Sequence, residues 1–337
     1  MTYAHGMLGL LLGASVLGAA HAQTGSNFTT PVPANTQLVV ADQRQQLQVA
    51  FAASGEEKKL PFKVKFADFR GGPAILEAFR AGSLDVAIVG DAPPIQAHVS
   101  GNPLPIVAAR QFTAVTYQYA VRPGLSLTSL NDIRGKKIAY AEGTATQSFV
   151  LATLSKIGLT KKDVTLVPLR IVDFLDAVRS GAVDVAPLNE PPFSRYVTHF
   201  KKDGASALPE QEVAGLPQGL SYIYASPTAL KDPVRSAAIA TFIAQWVKSS
   251  QWTEENEQAW VQAYYVKSQN LPAEVGRQVH QSLGKSTFPR LSDLIPRQQN
   301  TINLIHAAGD IPKKLDAREE FDLRFNDTAA SAARAAL

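Results

Sequence analysis

Residues 141–149 read AEGTATQSF. A strand that ends here, a turn at Gly143 and a helix beginning just beyond it would leave backbone N–H groups around Gly143, Thr144, Ala145 and Thr146 unpaired. Those donors sit at the positive end of a helix dipole, which suits an oxyanion. Thr144 and Thr146 add hydroxyl donors. The same residues also read as an ordinary N-cap supplied by Thr144, and the local sequence does not choose between the two. Arg44 and Arg70 lie in loops at strand ends, where each could bring a cation to the anion or simply face water. Carboxylates fit such a site poorly, because like charges in a dehydrated cleft repel. Asp91, ahead of Ala92-Pro93-Pro94, is placed to N-cap the next helix; otherwise it meets an amine or hydroxyl distant from the anion.

Catalysis finds no constellation. There is no Gly-x-Ser-x-Gly elbow, His-Glu-x-x-His pair or Gly-x-x-x-x-Gly-Lys loop. Cysteine is absent, so neither disulfides nor thiolate chemistry arise. His98, His199, His280 and His306 lack metal-ligand spacing, and no metal or other cofactor is expected. The charge of +4 is small and the basic pairs are scattered, which excludes the clustered footprint of a nucleic-acid binder.

The elements that would position these residues come as a repeat. ILEAFRAGSLDVAIVGDAPP at 75–94 matches FLDAVRSGAVDVAPLNEPP at 174–192, so that Asp85 and Asp184 correspond, 99 residues apart. Gly90-Asp91 falls where Asn189-Glu190 falls. Each copy reads as strand, helix, glycine stop, then a near-continuous apolar strand of the kind covered on both faces. The predicted units are a strand at 62–69, a helix at 73–81 ended by Gly82 and a strand at 84–90; and a strand at 165–170, a helix at 173–180 ended by Gly181 and a following buried strand. A further unit runs from the strand KIAYA through Gly143 into a helix ending at Gly158. Gln37–Ala41 predicts a strand and Gln45–Ala53 a helix. The chain from about Thr228 is mostly helical, with Trp246, Trp252 and Trp260 assigned to packing rather than ligand stacking. Two α/β lobes follow, and ligands of open α/β sheets sit at the carboxyl ends of the strands. Two such edges facing each other make a cleft.

With 337 residues, 45% hydrophobic and 18% charged, the chain has the composition of a globular protein. Met7–Ala20 is apolar but short for a bilayer span, and Ala20-His21-Ala22 is a small-x-small cleavage site. Residues 1–22 are therefore expected to be an export signal, although the start lacks Lys or Arg. Residues 23–36 are expected to be a flexible lead-in, 37–117 the first part of lobe 1, 118–221 lobe 2, and 222–337 the completion of lobe 1. Chain crossings near Tyr117 and Ser221 would form the hinge.

GPAILEAFRAGSLDVAIVGDAPPI, SLNDIRGKKIAYAEGTATQSFVLATL and IPKKLDAREEF together resemble the aliphatic sulfonate, taurine and nitrate group of ABC-transporter substrate-binding proteins, over about residues 37–325. The resemblance implies an α/β, two-lobed type II periplasmic binding protein fold. It implies a monomeric, exported, periplasmic protein that is not an enzyme. It would close on a small organic anion, a sulfonate or sulfate ester, and deliver it to the permease and ATPase subunits of an importer. Taurine, nitrate or a thiamine precursor are alternative ligands, and an enzyme on the same fold a more distant reading. The resemblance favours the anion site at Gly143–Thr146, completed by Gln43 and the Gly90-Asp91 edge. The chain departs from the family pattern at two places. Asn189-Glu190-Pro191-Pro192 stands where a Trp-Asp-Pro-Tyr segment is usual, so Glu190 replaces an aspartate and is expected to face the ligand's tail or a neighbouring donor. Asp42-Gln43-Arg44-Gln45 stands where a Tyr-Gln-Lys-Gly turn is usual.

Overall fold

The computed structural model describes Met1, residues 28–69 and residues 71–335. The export signal falls, Met1 apart, outside the described residues, as does Arg70. The lead-in is docked over its described part: the Phe28 ring lies 4.2 Å from that of Phe325, and Val32 packs on the same core.

Two mixed sheets carry the fold. The first contains β1 (Gln37–Asp42), β2 (Lys63–Asp68), β3 (Val86–Val89), β4 (Ile106–Phe112), β10 (Leu220–Ala225) and β11 (Ser286–Thr287), in the order β11-β4-β10-β3-β1-β2. The second contains β5 (Tyr117–Val121), β6 (Lys137–Tyr140), β7 (Thr165–Pro168), β8 (Val185–Asn189) and β9 (Ser206–Ala207), in the order β7-β6-β8-β5-β9. Strands β1, β2 and β3 are parallel, as are β6, β7 and β8, while β10 and β5 run antiparallel to β3 and β8. The two sheets therefore share one local plan. Each takes its antiparallel neighbour strand from beyond a crossing: β5 follows lobe-1 strand β4 in sequence, and β10 follows lobe 2.

Helices α1 (Gln46–Ser54), α2 (Gly72–Arg80) and α3 (Ala92–Val99) follow β1, β2 and β3; α4 (Ala145–Lys156), α5 (Phe174–Ser180) and α6 (Pro192–His199) follow β6, β7 and β8. Gly82 and Gly181 take positive φ of 69° and 78° at the ends of α2 and α5, which a side chain would strain. The repeated aspartates do the same work in both lobes. Asp85 accepts the Val39 N–H of β1 at 2.8 Å and pairs with Arg235; Asp184 accepts the Lys137 N–H of β6 at 2.8 Å and pairs with Arg122 at 2.8 Å. Each carboxylate ties its strand to the neighbouring parallel strand.

Lobe 1 is filled by Leu38, Val40, Phe51, Ile223, Phe242 and Trp246; lobe 2 by Tyr119, Ile138, Phe149, Leu154 and Val185. A third cluster joins them: Ala92 and Ile95 of α3, Leu151 of α4, and Ile302 and Ile305 of the helix Leu291–Ala307. The crossings run through 113–116 and 214–219. Gln218 fastens one to the other, its Oε1 accepting the N–H groups of Thr116 and Tyr117 at 2.9 and 2.7 Å.

Candidate binding cleft

The carboxyl edges of the two sheets face each other and touch. A Cβ built on Gly90, at the end of β3, would fall 2.6 Å from the Ala145 Cβ at the start of α4. One built on Gly143 would fall 3.4 Å from Gln96 of α3. The Ser148 hydroxyl of α4 donates to Asp91 at 3.0 Å. The repeat thus brings Gly90, Asp91 and the 143–146 turn together.

In that turn the threonine hydroxyls are directed inward. Thr144 has the extended backbone of an N-cap, but its hydroxyl donates to Ala141 O at 2.7 Å and does not cap the helix. Thr146 is fully buried with its hydroxyl 2.7 Å from that of Thr144. The Gly143 N–H goes to Gln147 Oε1 at 2.8 Å, so a glutamine one turn ahead holds the turn that precedes α4. Both threonine hydroxyls are therefore engaged inside the protein.

Asp91 is not an N-cap either: its side chain makes no capping bond to α3. It is buried at 5% exposure and takes the hydroxyls of Ser148 and Thr301, at 3.0 and 3.4 Å. Burial raises its pKa, opposed by the Arg297 charge and the two hydroxyls. It acts as a latch between lobes, with protein hydroxyls in the place foreseen for a ligand's. Sequence reasoning missed Ser148, Gln298 and Thr301, which are ordinary polar residues of helices until the lobes come together.

A second interlobe node is Asp310, which accepts from Tyr140 Oη and Gln147 Nε2, each at 2.7 Å, and pairs with Lys161. Behind the latch, Gln298 Nε2 donates to Asp91 O and to Glu320 Oε2, at 3.0 and 2.7 Å, and His98 Nδ1 lies 3.2 Å from Glu320. Burial pushes the Glu320 carboxyl up to about 7, against the bonds from Gln298 and His98 and with repulsion from Asp91. Its folded pKa stands above the unfolded value, so the native state binds the extra proton between about pH 4.5 and 7. Stability contributed by Glu320 is full below that window and falls as pH rises through it, by on the order of 2–3 kcal/mol. Urea unfolding at successive pH values is expected to show this decline in the wild type and a shallower one in Glu320→Gln; equal slopes would refute the assignment.

Gln43 lies at the end of β1, its Nε2 donating to Ile88 O at 3.2 Å. Arg44 and Gln45 both take left-handed backbone, φ 56° and 59°. The Arg44 side chain is exposed, and its carbonyl accepts from Gln269. Asn189 and Glu190 end β8 and are half-buried; Glu190 accepts from the Ser194 hydroxyl at 2.8 Å, and burial raises its pKa.

Arg110, in β4, is a half-buried cation whose Nε is covered. Its guanidinium carbon lies 4.6 Å from the Phe112 ring centroid and 5.7 Å from that of Trp246, and its Nε has no hydrogen-bond partner among the described residues. Burial lowers its pKa to about 10, against the attraction of Glu254 and Tyr265. The signal was available: IVAARQF places one charge, Arg110, in a strand whose other residues except Gln111 are apolar. Among the described residues no group of three or more His, Cys, Asp or Glu is arranged to hold a metal ion, and no helix is long and apolar enough to cross a membrane.

Comparison with known proteins agrees with this architecture. A family model described as ABC transporter, phosphonate, periplasmic substrate-binding protein matches residues 30–237. A protein of Escherichia coli (strain K12) named for aliphatic-sulfonate binding is 26% identical over 290 residues, 84% of this chain and 87% of its own. One of Bacillus subtilis (strain 168), named likewise, is 24% identical over 292 residues, 86% of this chain and 83% of its own. The structure of the alkanesulfonate-binding protein SsuA from Xanthomonas axonopodis pv. citri bound to MOPS has the same fold. Its TM-score is 0.76 at 23% identity, covering 87% of this chain and 99% of that one.

Proposed function

From the premise that the chain belongs to the phosphonate family of periplasmic substrate-binding proteins of ABC transporters, we propose that it captures an organic sulfonate between its lobes and delivers it to a membrane permease. It works as an exported monomer and catalyses no reaction. The observation that carries this reading is the meeting of the two strand edges at Gly90 and Ala145, which makes the end of β3 and the start of α4 walls of one closing cleft. Gln43, Asn189 and Glu190 are proposed to stand around the ligand, with Glu190 toward its tail. The relatives' names support a sulfonate over the phosphonate of the family description. A sulfonate stays a single anion at every biological pH, so its capture needs donors and no proton transfer.

Thermal unfolding of the mature protein with alkanesulfonates, alkylphosphonates, taurine, sulfate and nitrate tests the reading. A ligand at 100 times its dissociation constant stabilises by about 2.7 kcal/mol, a shift of several degrees. Alkanesulfonates are expected to give the largest shift. A larger one from a phosphonate or nitrate would reassign the ligand, and none from any organic anion would refute the function.

A further inference from the structure

We propose that the recess between Arg110 and Trp246 in lobe 1 seats the anionic head group of the ligand and selects a head carrying one charge. The proposal rests on the reading of the ligand as an organic anion and names the residues that hold it. Two buried donors in this recess lack partners among the described residues: Arg110 Nε and Trp246 Nε1. Buried polar groups are nearly always bonded, and a buried charge without compensation is costly, so adjacent orphaned donors mark a place made for an acceptor. The recess has a volume of about 40 Å³ and is walled by Leu47 and Ala50 of α1 together with Phe112, Glu254 and Tyr265. That is more room than a single water requires. Three oxygens on one sulfur, facing a planar guanidinium and an indole N–H, match the donors in geometry and in sign.

The recess is lined by lobe-1 residues and lies where β4 ends and α1 begins, on the carboxyl edge of the lobe-1 sheet. At the start of α4 the Thr144 and Thr146 hydroxyls and the Gly143 N–H are spent within the protein.

Charge sets the selectivity. Glu254, which accepts the Ser286 N–H at 2.8 Å, attracts the same guanidinium and offsets part of its field. His280 also lines the recess, and burial holds its pKa below the ordinary value, so it brings no second cation near neutral pH. One guanidinium partly balanced by one carboxylate accommodates a monoanion. A doubly ionised phosphonate would press its second charge on Glu254.

The test is calorimetric titration in mildly alkaline buffer, above the second ionisation of an alkylphosphonate, with 1-hexanesulfonate and hexylphosphonate, which share a tail. Wild type is expected to prefer the sulfonate by about tenfold or more. Arg110→Gln is expected to lose about 30-fold in sulfonate affinity, the scale of a lost charge-assisted hydrogen bond. Trp246→Phe keeps the ring, deletes the donor and is expected to lose about fivefold; it gives the answer if Arg110→Gln fails to fold, which circular dichroism reports. If wild type binds hexanesulfonate while Arg110→Gln and Trp246→Phe bind it within twofold, the recess holds water and the proposal falls, leaving the transport function intact. A preference for the phosphonate overturns the charge argument. Wild type that binds neither defeats both the proposal and the function on which it rests.

Discussion

Gly90→Val is expected to fold normally and to lose more than about 100-fold in ligand affinity. The backbone at Gly90 is not in the left-handed region, so the substitution carries no strain of its own. Its Cβ would nonetheless lie 2.6 Å from the Ala145 Cβ, 3.6 Å from its Cα and 3.7 Å from its N. Ala145 is the first residue of α4, and a helix backbone does not yield as a flexible side chain would. The collision is relieved only by rotating the lobes apart about 113–116 and 214–219. That rotation breaks the Ser148–Asp91 bond, the Asp310 bonds and the Leu151–Ile302 contact, each of which spans the interface. Solution scattering on the variant with saturating hexanesulfonate is expected to give the unliganded radius of gyration, whereas the wild type contracts. Gly90→Ala places the same Cβ and is expected to show most of the effect. Wild-type affinity in the valine variant would mean that the bound state is more open than this arrangement.

The sequence carried the fold through its repeat. Matching runs around Asp85 and Asp184 announce two strand–helix–strand units, because a buried parallel strand writes a continuous apolar run and a helix stop writes a glycine. Those local rules also brought Gly90, Asp91 and Gly143–Thr146 to one edge. What they could not supply is pairing across the interface. Asp91 sits where an N-cap would, and nothing local says that Ser148 and Thr301 reach it first. Thr144 is likewise a plausible cap whose hydroxyl turns back to Ala141. Arg44 drew notice because it lies in a loop, yet its side chain is exposed; Arg110, inside a strand, faces Trp246. A lone charge inside a strand is a signal of its own, since covering it demands a reason.

Asp42→Ala is expected to cost about 3–5 kcal/mol of stability. Helix α1 begins without help from its own N-cap: Gln45 has left-handed backbone and makes no side-chain capping bond. Asp42, at the end of β1, supplies the cap from outside. One carboxylate oxygen accepts the N–H groups of Gln43 and Leu47 at 2.7 and 3.0 Å, and the other that of Gln48 at 2.9 Å. A single side chain therefore satisfies two of the helix's first free donors and fixes the Gln43–Gln45 turn, whose left-handed residues cost energy to hold. Burial raises the Asp42 pKa, and the three backbone bonds oppose the rise. Alanine would orphan all three donors, at about 1–2 kcal/mol each. Asparagine keeps one acceptor oxygen and is expected to lose about half as much. Because Leu47 and Ala50 of α1 wall the Arg110 recess, the alanine variant is also expected to bind hexanesulfonate more weakly at temperatures where it remains folded. Urea denaturation of the two variants beside wild type decides the matter. A loss below about 1 kcal/mol in Asp42→Ala would show that water replaces the carboxylate and that the turn holds itself.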